Sequence, residues 1–154
     1  MHLILLALLI GIIAGLRAFT APAAIAWAAH LGLLNLTGTP LAFLGHTITT
    51  YLLTALALFE FVTDQLPSTP SRKVPPQFAT RVVMGSLSGA AIGTGLGNLW
   101  IGLVCGAIGA VIGTLGGASA RAYLATAFQK DLPAALVEDI VAILGAYLIT
   151  HHIA

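Results

Sequence analysis

Long apolar runs separated by short polar stretches dominate the chain. A membrane-spanning helix needs about 20 mostly apolar residues, because the hydrocarbon core is about 30 Å thick and each residue rises about 1.5 Å. The pattern predicts an all-α fold, a polytopic transmembrane helical bundle built as a single domain. Five segments meet this requirement and are the predicted spans: residues 3–30, 41–64, 79–96, 99–120 and 133–150.

Prolines and glycines mark the predicted connections. Four prolines lie between Leu66 and Pro76, and each removes a backbone donor that a helix would need. We therefore expect a Pro-rich cytoplasmic loop over residues 66–78. The run Gly95-Leu96-Gly97-Asn98 predicts a tight turn that joins the third and fourth spans as a hairpin.

The amino-acid composition indicates whether water or lipid surrounds the protein. Hydrophobic residues make up 58% of the chain and charged residues 7%, whereas a soluble domain carries about 25% charged residues. A lipid bilayer is therefore the expected partner of most of the surface. The net charge of +1, with only six Lys and Arg, argues against nucleic-acid binding, which needs a basic patch.

The distribution of cations predicts an orientation. Arg72, Lys73 and Arg81 flank the second loop, and Arg121 and Lys130 lie in the fourth. The other connections carry no Lys or Arg. Under the positive-inside rule, the N-terminus is expected in the cytoplasm and the C-terminus outside.

Acidic residues inside apolar spans are the first candidates for chemistry, because each charge in lipid costs about 2.5–3.5 kcal/mol by insertion scales. Glu60 and Asp64 are four residues apart and share one helix face. Glu138 and Asp139 lie early in the fifth span. Two polar residues, His46 and Thr49, lie on the same face as Glu60. These two residues and the four acids are candidates for a substrate or ion pathway: His46, Thr49, Glu60, Asp64, Glu138 and Asp139.

Arg17 is the clearest candidate in the first span. Small residues occupy its side of the helix, so it is expected to point into the protein. Pro22 cannot donate to the preceding turn, which predicts a kink there, and the Thr20 hydroxyl lies in the opened segment. The alternative is a purely structural role, in which Arg17 pairs with the acids and locks the bundle. The remaining cationic candidates are Arg81 and Arg121.

Glycines recur at helical spacing in the third and fourth spans. Such stripes let helix backbones approach closely, within one chain or across a homodimer, and predict a glycine zipper. The predicted packing residues are Gly85, Gly89, Gly93, Gly102, Gly106, Gly109, Gly113 and Gly116.

Neither a metal, a cofactor nor a catalytic residue is predicted. His2, His30, His151 and His152 lie near predicted helix ends, and only His46 shares a face with carboxylates, several turns away. The sequence contains no Ser, Cys or His arrangement at a spacing typical of nucleophilic catalysis.

Two motifs together resemble a known family. The chain is similar to small bacterial membrane proteins defined by a domain of unknown function (DUF4126), and the resemblance extends over nearly its whole length. It implies a multi-pass protein of the bacterial inner membrane and carries no activity. The motifs are Gly15-Leu16-Arg17-x-x-Thr20-Ala21-Pro22-Ala23 and Glu60-x-x-x-Asp64-x-Leu66-Pro67-x-x-Pro70-x-Arg72.

Three functions are compatible with these features. The first is a channel or transporter for a small ion or polar solute, acting as a homodimer, since five short helices enclose little volume. The second is a lipid-handling protein or enzyme, in which Arg17, Arg81 and Arg121 hold a lipid headgroup phosphate beside Glu60 and Asp64. The third is a structural packing partner without transport activity.

Overall fold

The computed structural model of the protein describes residues 2–66 and 71–153, which form helices and connecting turns and no β-strand. This confirms the all-α class. Residues 67–70, in the predicted Pro-rich loop, lie outside the described residues. A short 3-10 helix, Ala42–Gly45, precedes the third α-helix. The α-helices are α1 His2–Leu16, α2 Thr20–His30, α3 Thr47–Thr63, α4 Pro75–Gly95, α5 Leu99–Phe128 and α6 Asp131–Ile153.

The segment predicted as one kinked span, residues 3–30, is two helices that run in opposite directions. Arg17 of α1 pairs with Asp139 of α6, and Gly145, further along α6, faces Ile13, which is earlier in α1. The first helix is therefore antiparallel to α6. By contrast, α2 advances in the same direction as α6, because Arg17 just before α2 pairs with Asp139, and Leu31 just after α2 lines one groove with Thr150. The chain thus reverses between α1 and α2.

The contacts of α2 with α3 agree with this reversal. The backbone N–H of Phe19 bonds to Glu60 near the end of α3, and Trp27 bonds to Thr54 one to two turns earlier in α3. Helices α2 and α3 are therefore antiparallel as well. We call α1 and α2 the hairpin, and residues Arg17–Phe19 between them the hairpin tip.

Pro22 explains why one long helix was predicted wrongly. It lies in the first turn of α2, where backbone N–H groups have no acceptor within the helix, so a proline is tolerated there. The proline therefore belongs to the start of a new helix. The apolar pattern of residues 3–30 is the same for one buried span and for two buried half-length helices, and it does not distinguish them.

The reversal also changes the predicted orientation. The N-terminal end of α1 and the C-terminal end of α6 lie at the same end of the bundle, and Leu6 and Ile153 pack on one hydrophobic cluster. A cytoplasmic N-terminus and an external C-terminus therefore do not fit this fold, because they would require the two ends to lie on opposite sides.

Glycines bring three backbones together. An added Cβ at Gly89 of α4 would lie 2.7 Å from the Cα of Gly106 in α5, and one at Gly109 would lie 3.0 Å from Gly11 in α1. Because these neighbours are backbone atoms, a side chain at either position would have to separate the helices. Of the predicted packing residues, those facing a neighbouring backbone are Gly85, Gly89, Gly93, Gly102, Gly106, Gly109 and Gly113.

Gly116 lies elsewhere, since an added Cβ would meet nothing within 4 Å. Gly117 takes the next inward position on α5, where a Cβ would lie 3.0 Å from a nitrogen of Arg72. The helical spacing allowed either residue to continue the inward stripe. The position of Gly117 against Leu16 and Arg72 is therefore decided by the fold and not by the sequence spacing.

Several helices differ in length from the predicted spans. The fourth helix begins at Pro75, inside the predicted loop, because proline at the first helical position costs no hydrogen bond. In the described part of the chain, α5 and α6 are long and apolar enough to cross a membrane. The shorter apolar helices are α1 and α3.

Candidate functional site

The hairpin tip exposes the free ends of two helices to each other. The last carbonyls of α1 and the first N–H groups of α2 have no partners within their own helices. The helix dipoles make the first group partly negative and the second partly positive. Two charged side chains from neighbouring helices bond to these groups.

Glu60 of α3 caps the start of α2. Its Oε1 accepts from the N–H of Ala18 at 2.8 Å, and its Oε2 accepts from the N–H of Phe19 at 2.9 Å. The N-cap residue of α2, Phe19, has no side-chain cap of its own. A carboxylate at this position is doubly favourable, because it satisfies two donors and lies at the positive end of the dipole.

Arg81 of α4 caps the end of α1. Its Nη1 donates to the carbonyls of Gly15 at 3.0 Å and Leu16 at 2.6 Å. Its Nη2 lies 3.5 Å from Glu60 Oε1 and 3.6 Å from Asp64 Oδ2. The two capping residues thus attract each other across the tip, and Arg81 is only 2% exposed.

Arg17, at the tip itself, is completely buried. Its guanidinium forms ion pairs with Asp64 of α3 and Asp139 of α6, and lies 5.7 Å from the ring centre of Phe61. Gln65 also donates to Asp139, at 3.4 Å. We call the five charged residues at the hairpin tip the tip cluster: Arg17, Glu60, Asp64, Arg81 and Asp139.

A second ionic group lies beside it. Arg72, from the loop after α3, donates through both terminal nitrogens to the carboxylate of Glu138, with Nη2 at 2.8 Å from Oε2. Arg121 lies 3.5 Å from Glu138 and donates to Asp131 at 2.6 and 3.0 Å. We call Arg72, Arg121, Asp131 and Glu138 the outer cluster. Arg121 also donates to the backbone carbonyl of Asp64 at 3.0 Å, which joins the two clusters.

The two clusters contain all five acidic residues and all four arginines of the chain. The sequence predicted seven of these nine residues as site candidates and missed Arg72 and Asp131. Arg72 was assigned to the predicted cytoplasmic loop and used only for orientation, although it occurs in the motif that carries the family resemblance. Asp131 begins α6, where an acid is favoured by the helix dipole alone.

The other predicted residues lie at different levels of the bundle. Thr20 is 7% exposed, directly after the tip, and its hydroxyl has no hydrogen-bond partner among the described residues. Pro22 is also buried there. His46 is exposed and Thr49 half-buried at the start of α3, far from Asp64 at its end. The buried polar residue on that part of α3 is Thr50.

One cavity lies at the hairpin tip, and a second begins at Thr20, the residue after the tip. A cleft of about 410 Å³ between the end of α3 and the start of α4 is lined by Ala18 and Phe19 together with Glu60, Asp64 and Gln77. A groove of about 330 Å³ lies between α2, α3 and α6. The groove begins at Thr20 and continues past Trp27 to Thr150, near the end of the bundle that carries the termini.

The chemistry of the site is that of paired charges. Each carboxylate of the tip cluster contacts at least one guanidinium, and the described residues include no group of three or more His, Cys, Asp or Glu that could hold a metal ion. Glu60 and Asp64 also line the cleft, where a solute could reach them.

Comparison with known protein families identifies the family to which the chain belongs. A family model described as "Domain of unknown function (DUF4126)" matches residues 4–152. The chain belongs to this family. The matched range includes every residue of both clusters and confirms the resemblance found in the sequence. No curated protein and no solved structure matches the chain. Membership in the DUF4126 family therefore assigns no substrate.

Proposed function

We propose that the protein is a multi-pass membrane transporter or channel for a small cation or polar solute, with the hairpin tip as its gate. One observation carries the proposal: the tip separates an acid-lined cleft from a groove that extends toward the other end of the bundle. Ala18 and Phe19 line the cleft, and the next residue, Thr20, lines the groove.

The membrane arrangement follows from helix lengths and exposed side chains. The apolar helices α5 and α6 cross the bilayer, and their exposed large apolar residues, such as Ile112 and Leu148, face lipid. Helices α3 and α4 cross beside them, while the hairpin enters from the end that carries the termini and turns back inside. Non-helical backbone at membrane depth is tolerated when protein groups satisfy it, as Glu60 and Arg81 do at the tip.

The end of the bundle that carries Arg72, Lys73 and Lys130 faces the cytoplasm under the positive-inside rule. The cleft then opens to the cytoplasm, and the start of α1 and the end of α6 lie outside. The bacterial inner membrane is the proposed location.

Glu60 is the proposed gating residue. A cation in the cleft competes with Arg81 and the two amide groups for this carboxylate. When Glu60 turns toward the cation, the N–H groups of Ala18 and Phe19 lose their cap, and the start of α2 is free to move. The way from the cleft to Thr20 and the groove then opens.

The glycine contacts divide the bundle into a rigid and a mobile part. Helices α1, α4 and α5 pack backbone to backbone through the proposed glycine zipper and form the scaffold. Helices α2, α3 and α6 enclose the groove and contain the moving side chains. A homodimer remains our proposal for the assembly, because one small bundle encloses little volume.

Flux into proteoliposomes tests this function. We expect the wild-type protein to pass at least one member of a panel of small cations and polar solutes faster than empty vesicles. Glu60→Gln is expected to change that rate at least several-fold, since it removes the charge at the gate. Lys130→Gln, which removes an exposed charge outside both clusters, serves as the control and keeps the wild-type rate. Wild-type rates equal to those of empty vesicles for the whole panel would refute the proposal.

The structural alternative is favoured by a specific observation: every arginine and every acid already has a partner of opposite charge. In that function the clusters only hold the helices together. The same flux panel separates the two, because a packing protein passes nothing faster than empty vesicles, whether Glu60 is present or replaced.

A further inference from the structure

The charges of the tip cluster do not balance. Three carboxylates, those of Glu60, Asp64 and Asp139, face the two guanidiniums of Arg17 and Arg81. The outer cluster has two acids and two arginines and is balanced. Since Glu60 and Asp139 are each less than a tenth exposed, one surplus negative charge would be buried, which is unfavourable unless it is neutralised.

We propose that the tip cluster binds one exchangeable proton, and that Asp139 carries it. The inference rests on the proposed function in one respect, since it names the proton as the ion coupled to transport. The proton comes from hydronium in the cytoplasmic cleft and returns to water. On binding, one O–H bond of hydronium breaks, which leaves water, and one O–H bond forms on the carboxylate. On release, the carboxylic O–H bond breaks and the proton forms hydronium with water.

The hydrogen bonds select Asp139 among the three acids. Both oxygens of Glu60 accept backbone N–H groups, which favours its ionised form. Asp64 lies within ion-pair distance of both arginines. Asp139 contacts one guanidinium, that of Arg17, through Oδ1, and its Oδ2 accepts only the long 3.4 Å bond from Gln65 among the described residues. Arginine is not an alternative carrier, because its guanidinium does not lose its proton in proteins.

The unpaired atoms around the tip favour a proton over a metal cation. Arg17 Nε, Arg81 Nε and the hydroxyl of Thr20 are buried without partners among the described residues. Metal cations require oxygen lone pairs, and the two Nε groups present hydrogens instead, so that the Thr20 hydroxyl is the one possible ligand among these three groups. Water accepts from such donors and donates to Asp139, so ordered water is the expected carrier between the cleft and the cluster.

The proton affinity of Asp139 depends on charges from every neighbouring element. Arg17 comes from the hairpin tip, Asp64 from the end of α3, and Arg81 from α4. Glu138 is the adjacent residue on α6, and Arg72 and Arg121 pair with it from the loop and from α5. The positively charged groups around Asp139 are Arg17, Arg81, Arg72 and Arg121, and the negatively charged groups are Asp64, Glu60 and Glu138.

Infrared spectroscopy of the purified protein at neutral pH tests the site directly. We expect a carbonyl band of one protonated carboxylic acid that shifts in heavy water, disappears in Asp139→Asn and moves in Asp139→Glu. Asp131→Asn, in the balanced outer cluster, is expected to leave the band unchanged. Absence of the band in the wild type, or its survival in Asp139→Asn, would overturn the inference.

Charge counting gives a second variant that does not depend on replacing the carrier. Glu60→Gln leaves two carboxylates against two guanidiniums, so Asp139 should ionise and the band should vanish. Persistence of the band at wild-type intensity in this variant would contradict the counting argument. Circular dichroism spectra that match the wild type identify the variants that are folded and are therefore compared.

Flux measured with and without a pH gradient separates coupling from the transport proposal itself. We expect an inward proton gradient to change the wild-type rate several-fold and to have no effect on Asp139→Asn. A wild-type rate that ignores the gradient refutes the coupling, even if the band is present. Rates equal to those of empty vesicles refute the proposed function alone, and the infrared band still decides whether the proton site exists.

Discussion

Glu60 connects three parts of the molecule through one carboxylate. It caps the N–H groups of Ala18 and Phe19, it attracts Arg81, and it lines the cleft. Arg81 caps the other helix end by donating to the carbonyls of Gly15 and Leu16. The hairpin tip therefore depends on two side chains that belong to other helices, which is why its geometry depends on the tertiary fold.

Replacing Glu60 should reveal this dependence. We expect Glu60→Ala to lower the free energy of unfolding by about 3–5 kcal/mol, because it leaves two buried N–H groups and the charge of Arg81 without their partner. Glu60→Gln should cost less, since its amide oxygen still accepts one N–H. Unfolding in mixed detergent micelles, followed by circular dichroism, provides the measurement. Lys130→Ala is the control, and a Glu60→Ala protein as stable as that control would contradict the capping role.

At the scale of elements, the helices divide by what holds them together. Helices α1, α4 and α5 meet through glycines, with no side chains between their backbones at the closest points. The second helix meets its neighbours through larger side chains, including Ile25 in the shared hydrophobic cluster and Trp27, which donates to Thr54 at 2.9 Å. We therefore expect substitutions to lower the stability of the protein most at the positions where glycine backbones are in contact.

Two glycines in α5 form a matched pair for this expectation. A Cβ at Gly106 would lie 3.0 Å from the Cα of Gly89, whereas one at Gly116 would meet nothing within 4 Å. Gly106→Ala should destabilise the protein by about 1–3 kcal/mol through overpacking. Gly116→Ala should be neutral or stabilise by up to about 1 kcal/mol, because alanine favours helix.

The same micelle unfolding experiment measures both variants. Equal stabilities of Gly106→Ala and Gly116→Ala would contradict the close approach of α4 and α5. A loss of stability confined to Gly116→Ala would instead place an oligomer contact on the outer face of α5, where the isolated chain leaves Gly116 open.

At the scale of the whole molecule, the two ends of the bundle differ in chemistry. The charged clusters, with Lys73 and Lys130 beyond them, lie toward one end. The other end carries His2, at the start of α1, and His151, near the end of α6. The hairpin causes this arrangement, because it returns the chain to the end at which it began.

Labelling from outside intact cells tests the hairpin. In a Cys105→Ser background, single cysteines replacing His2 and His151 should react with a membrane-impermeant reagent on the same side of the membrane. A cysteine replacing Lys73 should react only after the membrane is opened, because the cation-bearing end is expected to face the cytoplasm. Reaction of the positions of His2 and His151 from opposite sides would contradict the reversal at the tip.

The sequence by itself determined the class of fold and most of the charged site. Apolar runs of helical length, with 7% charged residues, leave a helical bundle as the solution. The high cost of a charge among apolar residues singled out Arg17, Glu60 and Asp139 before any contact was known. The family resemblance rested on two motifs, which contain Arg17 and Glu60.

Only the tertiary structure decided the direction of α2, the partners of each charge and the residue that continues the glycine stripe beyond Gly113. The hydrophobic period of a helix is identical whether the chain continues or turns back, so residues 3–30 carried no signal for the reversal. The reversal is held by long-range contacts from Glu60 and Arg81, and sequence spacing within one helix does not encode such contacts. Arg72 illustrates the same limit: a loop cation becomes a buried ion-pair partner because the fold places Glu138 and Gly117 beside it.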